Sequence, residues 1–428
     1  MNFTRARKLL LLVPLLMSAC SSTGPYQIDL MPAPEIYAEL KVDPFRDEAA
    51  RSPIPYEGML YATDRLPAKG TDSEDFYANE RGHALRLGVG KIELGDKPLS
   101  WDEAKRISLQ TDRDQAYPLT VTEVRELGLL DSSRSEPFDG AELRSEKSGD
   151  REFAALINAK LAVSRIKDVY VFIHGYRVVF PNPLLVSTEL WHYLGYEGAF
   201  VAYAWPSTPS ALAYAKDLET AAYSSRNLRL LLEYLAAQTR ARRIHVIAYS
   251  AGTRVAIEAL GQIALLNAGE SKQAIARKLR IGNVILIGSD SDRDIFGGQL
   301  EDGLLKVMER LTLYMSDTDE ALGMSKFLFT RRRLGQVFRP GNLDPEVRDY
   351  LNRTQNLVAI DVTDAEDASA GNGHSYFRDS PWVSSDLLIT LKYDLPPAER
   401  GLVRRPPSPF WTFPRDYIQR LRFLLEKR

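Results

Sequence analysis

The stretch Arg243-Ile-His-Val-Ile-Ala-Tyr-Ser-Ala-Gly-Thr-Arg-Val255 constrains the fold more than any other part of the chain. A short apolar run, Ile244 to Ala248, leads into Ser250, and an amphipathic helical pattern begins directly after it. Apolar runs of this length bounded by a turn read as buried strands, and a 3.6-residue period reads as helix. A serine on a sharp strand-to-helix turn is a nucleophile elbow, a turn so tight that its neighbours must be small. Ala248 and Gly252, two before and two after the serine, meet that need. A bare small-x-Ser-x-Gly match is common and an ordinary βα turn can carry one, so it is the strand–turn–helix context that gives the motif weight.

The surroundings of the elbow repeat its alternation. Strands are expected at 169–173, 199–203, 244–248, 283–287, 311–315 and 357–360, each a short run rich in branched or aromatic residues. Helices are expected between them, including 221–237 and 254–268. Strands buried on both faces and joined by helices form βαβ crossovers. The expected fold class is therefore α/β, a doubly wound, mostly parallel sheet with helices on both faces. Before it lie two further strand-like runs, 58–63 and 84–94. Residues 96–150 are charged and irregular, with a helix near 101–107, and read as an inserted cap (a lid) or a flexible excursion.

The N-terminus reads as a targeting segment. Arg5, Arg7 and Lys8 precede the apolar run Leu9 to Leu16, which is shorter than the roughly 20 residues that span a bilayer. Leu16-Met-Ser-Ala-Cys20 resembles a bacterial lipobox, in which residues 1–19 are a signal peptide and Cys20 is diacylated; the alternative is cleavage after Ala19 with Cys20 left as a spectator thiol. Several acyl chains at about 0.8 kcal/mol per buried methylene hold a protein stably at a membrane. Ser21, rather than Asp, after the cysteine points to the outer membrane of a bacterial envelope, facing the periplasm. Cys20 is the only cysteine, which excludes disulfides, thiolate metal sites and a cysteine nucleophile. Residues 20–55, rich in proline, read as a tether partly packed on the body. Removing residues 1–19 takes the net charge from −2 to −5, which gives no support for nucleic-acid binding.

A serine needs a base to take its proton. Of the five histidines, His245 lies inside the elbow strand, and His83 and His192 have no motif around them. His374 sits in the Gly-rich loop Gly371-Asn-Gly-His-Ser-Tyr-Phe377, directly after the last parallel strand, where the base falls in the order Ser…acid…His. A carboxylate at an intervening strand end would fix the imidazole tautomer. Asp319, after strand 311–315, is the first choice, because the acid usually follows the second strand after the elbow; Asp290, after strand 283–287, is the alternative. Either aspartate could instead cap a helix. The Asp290-x-Asp-x-Asp294 spacing imitates a calcium loop, but Ile295 stands where that loop requires glycine, so no metal is expected. The oxyanion would be met by the amide of Ala251 and by Gly175 or Tyr176 in the loop after strand 169–173. His174 there reads as a residue that orders the loop.

These features, with Tyr61-Ala-Thr-Asp-Arg65, His174-Gly175, Ala204-Trp-Pro-Ser207, Tyr214-x-x-Asp217, Asp290-x-Asp-x-Asp-x-Phe296, Ser316-x-x-Asp-x-Ala-Leu322 and Gly373-His-Ser-Tyr376, occur in order over residues 55–395. That region resembles an uncharacterised bacterial branch of the α/β-hydrolase superfamily. The branch commonly has His and Met around the serine, where this chain has Tyr249 and Ala251, and a Pro where it has Ser289. The resemblance implies an α/β-hydrolase domain over 56–395 and favours Asp319 as the acid. Residues 396–428 form an extension whose aromatic run 409–413 and helix 417–425 pack on the body or dock on a membrane.

The expected activity is that of a membrane-anchored serine hydrolase acting on a carboxylic ester or related acyl bond through Ser250, Asp319 and His374. It requires no cofactor, and its partners are a small-molecule or lipid acyl substrate and the membrane. The alternative is a non-catalytic, tethered interaction protein built on the same scaffold.

Overall fold

The structure is a computed structural model describing residues 25–40, 42–45, 56–69, 76–135, 145–210, 213–322, 333–337, 343 and 345–426. The expected signal segment, Cys20 and residues 21–24, 41 and 46–55 of the expected tether lie outside the described residues.

The strands are β1 (Gln27–Asp29), β2 (Tyr56–Pro67), β3 (Tyr77–Leu94), β4 (Pro118–Leu129), β5 (Asp168–Ile173), β6 (Ala199–Ala204), β7 (Arg243–Tyr249), β8 (Ile281–Ile287), β9 (Arg310–Met315), β10 (Leu357–Asp361), β11 (Val403–Arg404) and β12 (Trp411–Thr412). They form one sheet in the order β1-β4-β3-β2-β6-β5-β7-β8-β9-β10-β12-β11. From β2 through β6, β5, β7, β8, β9 and β10 to β12 every neighbouring pair is parallel. The two ends, β1-β4-β3-β2 and β12-β11, are antiparallel.

The central strands alternate between two apolar layers. Val169, Val171 and Ile173 of β5 face one layer and Tyr170 and Phe172 the other, all essentially inaccessible. The first layer is completed by helices Asp150–Val163, Tyr214–Gln238, Gly252–Leu266 and Lys272–Leu279, the second by helices Pro181–Tyr193 and Pro381–Tyr393. Burial on both faces accounts for the continuous apolar runs that made these strands legible. The chain moves outward from β5 to β6, then crosses back to β7 and runs the other way. The crevice at such a reversal, beyond the carboxyl ends of β5 and β7, is where open α/β sheets hold their ligands. Ser250 and the loop after Ile173 flank it.

Residues 96–150, expected as a lid or an excursion, instead contribute to the sheet over their described part. Helix Trp101–Ser108 is closed by a capping box between Ser100 and Glu103. β4 pairs with β3 from Arg86↔Leu129 to Leu94↔Leu119. The misreading has a physical cause: β4 is antiparallel and partly wet in its middle, so Glu123, Arg125 and Glu126 interrupt its apolar residues.

Both extensions are stitched to the body. Glu189, fully buried, accepts from the Met31 amide at 2.8 Å and from Arg378 at 2.7 and 2.9 Å. Arg113 donates to the carbonyls of Leu30 and Met31. At the other end Phe410, Phe413 and Tyr417 are buried, and Arg400 is paired with Asp386 where both side chains are inaccessible. Residues 409–413 are thus part of the packing. Among the described residues no helix is long and apolar enough to cross a membrane.

Candidate active site

Ser250 adopts φ +52°, a left-handed conformation that costs a non-glycine residue about 1–2 kcal/mol. The surroundings hold it there. Its amide donates to the Ile287 carbonyl of β8 at 2.9 Å, and its carbonyl accepts from the Thr253 amide at 3.0 Å and the Thr253 hydroxyl at 2.6 Å. The small neighbours are needed for close approach: a Cβ on Gly252 would lie 2.3 Å from the His174 carbonyl oxygen, and one on Gly175 would lie 2.9 Å from Ser250 Cβ.

His374 Nε2 lies 2.8 Å from Ser250 Oγ, and His374 Nδ1 lies 2.6 Å from Asp319 Oδ2. The other oxygen of Asp319 accepts from the Leu322 amide at 3.0 Å, so the carboxylate both faces the imidazole and caps the turn that follows. Ser250, Asp319 and His374 are 6, 5 and 8% exposed, low enough to shield the chain of hydrogen bonds from bulk water. The loop carrying His374 closes on Gly373, at φ +65°, where a Cβ would lie 2.5 Å from the Thr318 carbonyl oxygen beside Asp319. The Tyr249 ring lies against the imidazole with centroids 4.9 Å apart.

Asp290, the alternative acid, points elsewhere. Its oxygens lie 3.2 Å from Arg254 Nε and 3.4 Å from Arg333 Nε. Asp292 caps helix Arg293–Glu301 by accepting from the amides of Asp294 and Ile295. The reason is local: β8 ends at Ile287, and the next residue, Gly288, holds a φ of +53° that turns the chain away before Asp290 is reached.

The other histidines are built into the packing or lie on the surface. His245 faces Asp168 and accepts from the Asn283 amide, and His192 lies between Ser108 and Tyr196. His83 is exposed. His174 is buried, and both its nitrogens face carbonyl oxygens, of Gly175 at 2.6 Å and Trp205 at 3.0 Å. Burial first, and the Arg65 charge second, hold its pKa well below the ordinary histidine value. The Trp205 indole donates to the His174 carbonyl, and Arg65 and Ser207 both donate to the Val178 carbonyl. The sequence motifs around Arg65 and Trp205 therefore fasten the loop after β5.

That loop places Gly175 directly against Ser250. Ala251 stands at the start of helix Gly252–Leu266, which has no side-chain cap. The first amides of a helix carry the positive end of its dipole, a setting that favours an anion. The sequence did not mark Gly288, and it marked Trp205 only as part of the motif Ala204-Trp-Pro-Ser207. The only signal for Gly288 was a glycine directly following an apolar strand run.

A doubly wound sheet carrying a serine on a positive-φ turn after a central strand, with a histidine and an aspartate delivered to it from later loops, defines an α/β hydrolase. The chain belongs to a family within that class: residues 150–391, more than half of the chain, match the family described as alpha/beta hydrolase of unknown function (DUF900). The match spans Gly175, Ser250, Asp319 and His374. No curated protein and no solved structure matches the chain.

Proposed function

We propose that the protein is a serine hydrolase of carboxylic esters or related acyl bonds, with Ser250 as nucleophile, His374 as general base and acid, and Asp319 as the residue that orients His374. The observation that carries this reading is the pair of contacts, 2.8 Å and 2.6 Å, that joins the three side chains in order. Ser250 Oγ attacks the acyl carbonyl while its proton passes to His374 Nε2. The same proton goes to the leaving alcohol as its C–O bond breaks. Water, deprotonated by His374, then attacks the acyl-enzyme and releases the acid, returning the proton to Ser250. Asp319 holds the Nδ1–H tautomer throughout and stabilises the imidazolium. The amide of Ala251, with that of Gly175 or Tyr176, serves the tetrahedral oxyanion.

A fluorophosphonate probe tests the proposal, because it labels only an activated serine. Labelling and ester turnover are expected in the wild type, with turnover lower by about 10⁴–10⁶-fold in Ser250→Ala. Absence of both in folded wild-type protein would leave the alternative, a hydrolase body kept as an interaction scaffold.

The chemistry would take place at a membrane. The lipobox-like Leu16 to Cys20 supports a diacylated Cys20, and Ser21 supports the periplasmic side of the outer membrane. Partition of the expressed full chain into detergent, lost in Cys20→Ala, is the expected result. Unchanged partition in that variant would remove the anchor from the proposal.

A further inference from the structure

We infer that the Tyr376 hydroxyl is a positioning group for the proposed reaction, a tie that sets the distance between His374 and Ser250; the inference rests on the serine hydrolase reading above. Tyr376 follows His374 by two residues and is 1% exposed. Its hydroxyl accepts from the Gly288 amide at 2.7 Å and donates to the Tyr314 carbonyl at 2.9 Å. The oxygen thus sits where the ends of β8 and β9 part, bound to both.

Each of those strand ends leads to a different member of the site. On β8, Ile287 accepts the Ser250 amide, and the next residue, Gly288, donates to Tyr376. On β9, Tyr314 is followed within five residues by Asp319. The segment bearing His374 is anchored to both by one phenol oxygen. Gly288 also forms the floor under the imidazole: a Cβ there would lie 3.1 Å from His374 Cε1 and 3.4 Å from Asp319 Oδ2. The Gly288 amide has a second acceptor, the Tyr314 carbonyl at 3.2 Å, so the strands keep a direct bond when the hydroxyl is absent. The His374 loop keeps its bond from the Glu320 amide to the Asn372 carbonyl at 3.1 Å but loses its tie to both strand ends. Loss of the hydroxyl is therefore expected to affect alignment more than stability.

The test is Tyr376→Phe in the full chain, with Tyr234→Phe as control. The Tyr234 hydroxyl is a part-buried donor to the Asp150 carbonyl and bonds to none of the three site residues. Tyr376→Phe is expected to lower kcat and the rate of fluorophosphonate labelling together by about 10–100-fold, with KM within about threefold, as a small misalignment does. Tyr234→Phe is expected to retain wild-type kcat at a similar loss of thermal stability. A downfield proton resonance from His374 Nδ1–H, assigned by its absence in His374→Ala, is expected to shift upfield or broaden in Tyr376→Phe only. Wild-type kcat and an unmoved resonance in Tyr376→Phe would overturn the inference while Ser250→Ala remains inactive. If the wild type hydrolyses nothing and takes up no probe, the parent reading fails, and the resonance still decides whether Tyr376 sets the histidine.

Discussion

Gly288 lies under the His374 imidazole, close enough that a single added carbon would meet the ring at 3.1 Å. The same residue holds φ +53° and directly follows Ile287, whose carbonyl receives the Ser250 amide. Gly288→Ala therefore combines crowding of the imidazole with backbone strain. We expect kcat to fall about 10–100-fold, with a stability loss of about 1–2 kcal/mol. Steady-state kinetics and urea unfolding on the same preparation separate the two effects, and unchanged kcat would show that the imidazole has room to move.

Two aspartates were candidates for the acid, and substitution distinguishes them. Asp319→Asn should lower kcat by about 10⁴-fold, because an amide does not hold the required tautomer. Asp290→Asn should leave kcat within a few-fold and instead reduce stability, since Arg254 and Arg333 lose their shared carboxylate. The reverse pattern of kcat values would reassign the acid.

The left-handed backbone at Ser250 makes a separate prediction about stability. Glycine tolerates φ +52° and alanine does not, so Ser250→Gly should unfold at a higher urea concentration than Ser250→Ala, by about 1 kcal/mol. Both should be inactive. Equal midpoints would mean that the turn relaxes once the hydroxyl is removed.

The pair Asp386–Arg400 joins helix Pro381–Tyr393 to the C-terminal extension where neither side chain reaches solvent. The Tyr314 hydroxyl donates to the same carboxylate at 2.6 Å. Asp386→Asn would leave a buried guanidinium without its counter-charge, at a cost of about 3–5 kcal/mol. The expected result is a lower thermal midpoint with kcat per folded molecule preserved. A double substitution, Asp386→Leu with Arg400→Met, should recover much of the loss.

Stability should also fall in acid through His192, which burial and, secondarily, the Arg113 charge push down to about 3. In the unfolded chain a histidine titrates near 6.5. Between those values the unfolded state binds the extra proton, so the contribution is complete above about pH 6.5 and is lost as pH falls toward 3. The slope is at most about 1.4 kcal/mol per pH unit for one such group. Urea midpoints at pH 7 and 4.5 should show the decline, with a shallower one in His192→Gln. An identical slope in that variant would place the acid sensitivity elsewhere.

Much of the site was legible because its signals are local. The requirement for tiny residues at 248 and 252 comes from one tight turn, and His374 was marked by its Gly-rich loop after a strand. Other elements had no such mark. β4 was obscured because its partly wet middle carries charges that interrupt its apolar run. Helix Pro181–Tyr193, buried almost throughout, has no polar face to reveal its period. Tyr376 was quoted only as part of a motif, since nothing in a linear sequence shows that its hydroxyl reaches two strand ends.

By itself the sequence determined the alternation of buried strands and crossover helices, the elbow at Ser250 and the histidine that could serve it. These follow from side-chain volume, backbone conformation and apolar period, which act within a few residues of each other. Only the tertiary structure decided which aspartate meets that histidine. Asp290 and Asp319 each follow a buried parallel strand and are locally equivalent. They are separated by the positive-φ turn at Gly288, which carries Asp290 to Arg254 and Arg333. The turn closed by Gly373 against Thr318 brings His374 to Asp319. That outcome depends on contacts between segments far apart in the chain, and residue pattern alone does not encode them.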